Sequence, residues 1–464
     1  MDVAVQIEKA LAEGDDIRPA APVPTNGWAR MPQLFLSMYR NPIEAWADVA
    51  YEEWIVDRCS PFLNLFFVSE PDSIAKILVD KTGAYGVSRS AQRLLKPAIG
   101  ESLPLAEGTR WRQQRRALAP AFRPASSDKY IPSIEQSARD TAYQWMSAGL
   151  HQVNVSEASG ATALVALAQT MFSWGDHRSL NELRAASTFY RNSAGQIDIG
   201  TFLNLPPWIP SFSRMRAKRV VERFEFLLFD EVSCRRKMTD PGSDLLGLML
   251  KARDAESGFE FDDELIRDNV AFMFAAGHET TAASIGWALY LLALFPKVQN
   301  VIAEEVASVL NRGSLDAGDV EQLKGLRMVV DEALRLYPPL PHTGRDARRD
   351  DKILGHVIPR GSVMFISPYI IHRHRRLWER PDYFDPTRFS SEKKQHIHKF
   401  AYIPFGAGPK ICIGAHFAIT QIMVVLSVWL SKFQFSLPEG SKPYPLAQIT
   451  MHPREPLVLN IRQR

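Results

Sequence analysis

The run Phe405-Gly406-Ala407-Gly408-Pro409-Lys410-Ile411-Cys412-Ile413-Gly414 decides how this chain is read. It sets one cysteine in a glycine-punctuated loop, after a phenylalanine and before an apolar helical stretch that begins near Gly414. A thiolate, not a thiol, is the metal ligand, so such a loop must favour negative charge on sulfur. Gly406, Gly408 and Gly414 permit tight backbone turns that aim N–H groups at that atom. The following helix adds its positive N-terminal end. This is a frame for presenting one thiolate to a haem iron. The competing reading is a buried free cysteine beside a turn.

The run resembles the haem-binding loop of the cytochromes P450, Phe-x-x-Gly-x-Arg-x-Cys-x-Gly, with one departure. Lys410 stands where that family has a propionate-binding arginine. Lysine keeps the charge but lacks the bidentate fork. The resemblance implies haem b with Cys412 as axial thiolate, framed by Phe405, Gly406 and Gly414.

Composition sets the wider bounds. The chain has 464 residues, 46% hydrophobic and 23% charged, which fits an ordinary globular protein. A net charge of +3 argues for neither nucleic acid nor membrane binding. Three scattered cysteines, Cys59, Cys234 and Cys412, exclude a disulfide framework and offer no zinc or iron–sulfur spacing. The N-terminus contains no apolar run long enough for a membrane anchor or signal peptide, so a soluble, bacterial-type, cytoplasmic protein is expected.

Residues 1–32 read as an N-terminal arm, with a short helix that turns Val5, Ile7 and Leu11 inward and then a Pro-rich stretch; residues 33–464 read as one domain. Helices are expected over residues 45–57 and 71–81, with a strand at 63–68 between them. Helical periodicity dominates residues 109–310 and returns at 324–336. Residues 353–358 and 362–366 read as a hairpin turning at Pro359-Arg360-Gly361, residues 415–429 as an apolar helix, and 444–461 as short strands. A mainly α body with small β-sheets is the architecture that the P450 resemblance implies over nearly the whole chain.

Within the long apolar helix expected at 261–294 lies Ala275-Ala276-Gly277-His278-Glu279-Thr280-Thr281. It is similar to the P450 segment that crosses the haem face. Glycine inside a helix costs roughly 1 kcal/mol relative to alanine. Space for dioxygen beside Ala276 and Gly277, with a locally opened hydrogen-bond ladder, would explain that cost. Thr280 would donate a hydrogen bond to dioxygen and Glu279 would relay protons from solvent. The alternative is a Thr280 hydroxyl bonded to the carbonyl four residues back and a solvated Glu279. His278 is read as a packing residue.

Other motifs carry the same resemblance. Glu332-x-x-Arg335 resembles the P450 K-helix pattern, and Arg388 in Pro386-Thr387-Arg388-Phe389 supplies its third partner, a scaffold for the cysteine loop. Trp111 and Arg115, one helical turn apart, look like the Trp-x-x-x-Arg that meets a haem propionate. Arg345 falls where the family places another propionate-binding arginine.

No nucleotide-binding glycine motif and no cysteine cluster is present, so electrons are expected from a separate ferredoxin or flavodoxin with its reductase. Arg110, Arg112, Arg116 and Lys410 would make its docking face basic. Phe202-Leu203-Asn204-Leu205-Pro206-Pro207-Trp208-Ile209-Pro210 would line substrate access; Leu340, Thr343 and Ile449 would face substrate by resemblance. The expected activity is insertion of one oxygen atom from O₂ into a hydrophobic small molecule (terpenoid, steroid, fatty acid or similar) by a monomer. A peroxide-using or isomerising haem-thiolate enzyme and a haem-based sensor are the alternatives.

Overall fold

The computed structural model describes residues 2–13, 16–27, 31–59, 63–173, 200, 205, 222, 226, 228–310 and 313–464. Of the run from Phe202 to Pro210, all but Leu205 lies outside the described residues.

Helices dominate, and the longest runs through the centre as Asp263–Leu294. Its start follows from Asp262, whose carboxylate accepts the Leu265 N–H at 2.8 Å, with Asp263 and Glu264 in the first turn complementing the helix dipole. Most of its residues from Thr281 onward are buried, so it has no strongly polar face. Val155–Phe172 packs along it, and Ala415–Lys432 crosses between it and Ile131–Ser147. Among the described residues, Ala415–Lys432 is the one single helix apolar and long enough to cross a membrane, and it is a buried core helix.

The helix Lys324–Leu336 occupies the sequence-expected bounds. No side chain of its own caps it; instead the Glu305 carboxylate accepts the Gly325 and Leu326 N–H groups at 2.7 and 2.9 Å. Pro338 and Pro339 follow its end.

A five-stranded sheet runs in the order Ile55–Cys59, Asn64–Val68, Val363–Ile366, Thr343–Ala347, Tyr85–Val87, with one parallel pair between the second and third. Two sequence expectations fail here. Residues 45–57 form a 3-10 turn, Asp48–Tyr51, and then the edge strand Ile55–Cys59. Pairing with Asn64–Val68 overrides the local helical pattern. The expected hairpin is also re-partnered. Asp351–Ile353 pairs with His356–Ile358 around Leu354 and Gly355, both at positive φ (45° and 86°). Pro359 still turns the chain, but Val363–Ile366 leaves for the larger sheet.

The N-terminal helix Val3–Ala12 is built into the body. Ile7 is fully buried, whereas Val5, expected inward, is 41% exposed. Further on, Ala20 is held at both ends: Tyr290 Oη accepts its N–H at 3.1 Å and Tyr337 Oη donates to its carbonyl at 2.7 Å. Those two tyrosines pack around Trp287, which stacks on Tyr337 at 4.0 Å.

Candidate active site

The cysteine loop closes on itself through its backbone. Cys412 N–H donates to Phe405 O at 2.9 Å, Ile411 N–H to Gly408 O at 3.1 Å, and Gly406 N–H to Ile403 O at 3.0 Å. Gly406 and Gly408 sit at φ 70° and 72°, a region that L side chains rarely adopt. Gly408 is doubly constrained, because a Cβ there would fall 2.4 Å from Leu78 O. Gly414, at φ −92°, heads Ala415–Lys432 as its N-cap, and no side chain caps that helix. Its open positive end therefore faces the loop.

Cys412 is exposed, yet protein atoms crowd its sulfur. Crowding pushes the thiol pKa up; the Gly414 N–H and the Arg115 charge pull it back. Arg115 lies on the helix Gly108–Leu118 and donates to Ile411 O at 2.9 Å, one residue from the cysteine. Trp111, one turn earlier, carries the Lys410 ammonium 5.6 Å from its ring centroid. The expected group of Trp111, Arg115 and Lys410 does gather at the loop.

Lys410 donates to the carbonyls of Pro104 and Ala106. Burial, with the positive charge of Arg345, pushes its pKa down to about 8. Among the described residues Arg345, on the strand Thr343–Ala347, donates to Thr343 Oγ1 at 3.3 Å and to its neighbour's carbonyl, Gly344 O, at 2.9 Å. Neither cation makes an ion pair among the described residues. The carboxylate acting on both, Glu107, is engaged by Arg348 and the Val87 N–H. Two partly buried cations that repel one another call for a polyanion. The two propionates of haem have that charge, and the Cys412 sulfur, flanked by the Gly414 N–H and Arg115, has the chemistry for its iron. The residues present fit the group.

The helix Asp263–Leu294 departs from expectation in two places. Gly277 is explained by packing: a Cβ on it would lie 3.1 Å from both Leu167 methyls of Val155–Phe172. The helix is also uninterrupted through this segment. Thr280 Oγ1 donates to Ala276 O at 2.6 Å, the self-bonded alternative. Ala276, Glu279 and Thr280 are partly accessible, while His278 is buried, its Nδ1 2.7 Å from Phe274 O, and packs as expected.

The scaffold residues meet as a network. Arg335 donates from Nε and Nη2 to the two Glu332 carboxylate oxygens at 2.6 and 2.7 Å, with neither side chain exposed. Its remaining donors reach the carbonyls of His372, Pro381 and Tyr383. Arg388 is the weaker partner, 3.6 Å from Glu332 and donating to Arg380 O. Asp385 N–H adds a 2.8 Å bond to Glu332. Sequence reasoning missed His372, which bridges this network to the cysteine loop; lone histidine carries no local signal for that role. Of the basic face, Arg110 and Arg112 are exposed, but Arg116 is taken by Asp254 (2.8 and 2.9 Å) and by Glu256. Lys410 is likewise turned inward. The uncompensated basic charge of these four residues is thus smaller than expected.

Comparison with known proteins agrees with this geometry. The family model described as Cytochrome P450 matches residues 61–460. Cytochrome P450 4B1 of Rattus norvegicus is 30% identical over 383 residues, 78% of this chain and 75% of that protein. Cyclooctat-9-en-7-ol 5-monooxygenase of Streptomyces melanosporofaciens is 25% identical, covering 86% of each. Among solved structures, the cytochrome P450DA heme domain superposes with a TM-score of 0.82 at 25% identity, covering 96% of this chain and 99% of that one. With a family match over most of its length, a shared fold and a cysteine loop of the matching pattern, this chain belongs to the cytochrome P450 family.

Proposed function

We propose that this P450 monooxygenase inserts one oxygen atom from O₂ into a hydrophobic small molecule, with electrons from a separate ferredoxin or flavodoxin and its reductase. The observation that carries the reading is the Cys412 sulfur, supported by the Gly414 N–H and Arg115, in a chain whose central helix bears Glu279 and Thr280. Haem, when bound, supplies reductive activation of dioxygen and transfer of one of its atoms. Everything else is work for side chains.

Cys412 would hold the haem iron through its sulfur, and Phe405, Gly406 and Gly414 shape its loop. Arg345, Lys410, Arg115 and Trp111 form the propionate side. Ala276 keeps the helix face low, while Gly277 admits Leu167 of the neighbouring helix. Thr280 Oγ1, by rotating away from Ala276 O, becomes a donor toward dioxygen, and Glu279 returns its proton from solvent. Glu332, Arg335 and Arg388 keep the loop in place. The substrate is a terpenoid, steroid, fatty acid or similar molecule; similarity to cyclooctat-9-en-7-ol 5-monooxygenase, named for an alcohol with a single polar group, supports an apolar one. The protein acts as a cytoplasmic monomer.

The test is spectroscopic. Reduction under carbon monoxide distinguishes thiolate from histidine ligation by a strong red shift of the Soret band. Cys412→Ser is expected to abolish that band, while Cys59→Ser and Cys234→Ser keep it. Retention of the band in Cys412→Ser overturns the assignment.

A further inference from the structure

His372 is fully buried between two segments that it joins. Its Nδ1 lies 3.1 Å from the carbonyl oxygen of Arg335, and its Nε2 lies 2.9 Å from the backbone nitrogen of Ile403. A carbonyl can only accept and an N–H can only donate. The ring is therefore the neutral tautomer with its proton on Nδ1. Arg335 answers by donating from Nη1 to the His372 carbonyl at 2.8 Å, so the two residues hold each other in both directions.

Beyond the imidazole the path continues into the ligand loop. Ile403 O accepts from Gly406 N–H at 3.0 Å, and Phe405 O accepts from Cys412 N–H at 2.9 Å. One unbroken series of short contacts therefore leads from the Glu332–Arg335 pair, through one imidazole, to the backbone that aims the sulfur. Ile403 is itself buried, so its N–H has no solvent to fall back on.

We propose that His372 is a positioning residue for the ligand loop: its Nε2 fixes Ile403 and so transmits the placement of the Glu332–Arg335 pair to Cys412. This rests on reading Cys412 as the haem ligand. Loss of the acceptor strands the Ile403 N–H and lets the loop turn, which weakens the hydrogen bonding that keeps the sulfur anionic.

Three variants of the holoenzyme test this. His372→Gln can place an acceptor at the depth of Nε2; His372→Asn keeps a donor near Arg335 O but falls short of Ile403; His372→Phe keeps ring volume and neither bond. The readouts are the ratio of thiolate-type to thiol-type Soret band in the reduced carbon monoxide complex and the haem reduction potential. Gln is expected to hold the wild-type ratio, while Asn and Phe lower it about fivefold, the equivalent of one buried hydrogen bond. Should Phe not fold, the Gln-to-Asn comparison decides alone. Equal ratios and potentials in Gln and Asn overturn the proposal. A wild-type complex without the thiolate band overturns the ligand assignment and this inference together; a wild-type band unchanged in every variant overturns this inference only.

Discussion

Gly277 and Leu167 face each other across two helices so closely that one added carbon would lie 3.1 Å from both leucine methyls. Alanine at 277 gains helix propensity of about 1 kcal/mol but overpacks by about 1–3 kcal/mol. Gly277→Ala is therefore expected to lower stability modestly. In a Leu167→Ala background the same change should become neutral or stabilising, a coupling readable by a double-mutant cycle in urea. Simple additivity would mean that the contact does not govern position 277.

Glu332 and Arg388 differ in what their removal leaves behind. Glu332→Gln strands Arg335 as a fully buried cation, at a cost of about 3–5 kcal/mol. Arg388→Ala breaks a longer contact at a partly accessible site and should cost about 1 kcal/mol or less. The expected order, in thermal melts and in haem-to-protein ratio, is a severe loss for the first and a mild one for the second.

Stability should fall on acidification through two histidines. Burial pushes His342 down to about 4, and burial with the Arg335 and Arg373 charges pushes His372 down to about 3. Both are neutral when folded but take up a proton when unfolded, below about pH 6.5. Their contribution is whole above that pH and is lost as pH falls toward 4, by on the order of 1–2 kcal/mol per group at pH 5. Urea midpoints across this window should show a shallower slope in His342→Phe.

Thr280→Ala removes the hydroxyl that, in the proposed mechanism, turns from Ala276 O toward dioxygen. Peroxide release should rise relative to product while the stability change stays under about 1 kcal/mol, as for a half-buried threonine whose hydroxyl bonds a carbonyl of its own helix. Unchanged coupling between electron consumption and product would remove Thr280 from proton delivery.

Arg110 and Arg112 are exposed on the helix Gly108–Leu118, whereas Arg116 is held by Asp254. Charge reversal at Arg112 should slow reduction by an acidic donor and flatten its salt dependence. Arg116→Gln should leave the salt dependence intact and act on stability. Stopped-flow reduction at two ionic strengths separates them.

Local chemistry in the chain determined a good deal: the cysteine loop from its glycines, the helix Lys324–Leu336 with Glu332 and Arg335 on one face, and the central helix from its apolar length. Each depends on φ preference or on the helical repeat, which act over a few residues. Tertiary structure alone decided which strand took Val363–Ile366, that Gly277 was shaped by Leu167, that Arg116 was already neutralised, and that His372 tied two distant segments together. Those outcomes join residues remote along the chain, and a backbone N–H or a side-chain charge takes whichever partner folding brings within reach.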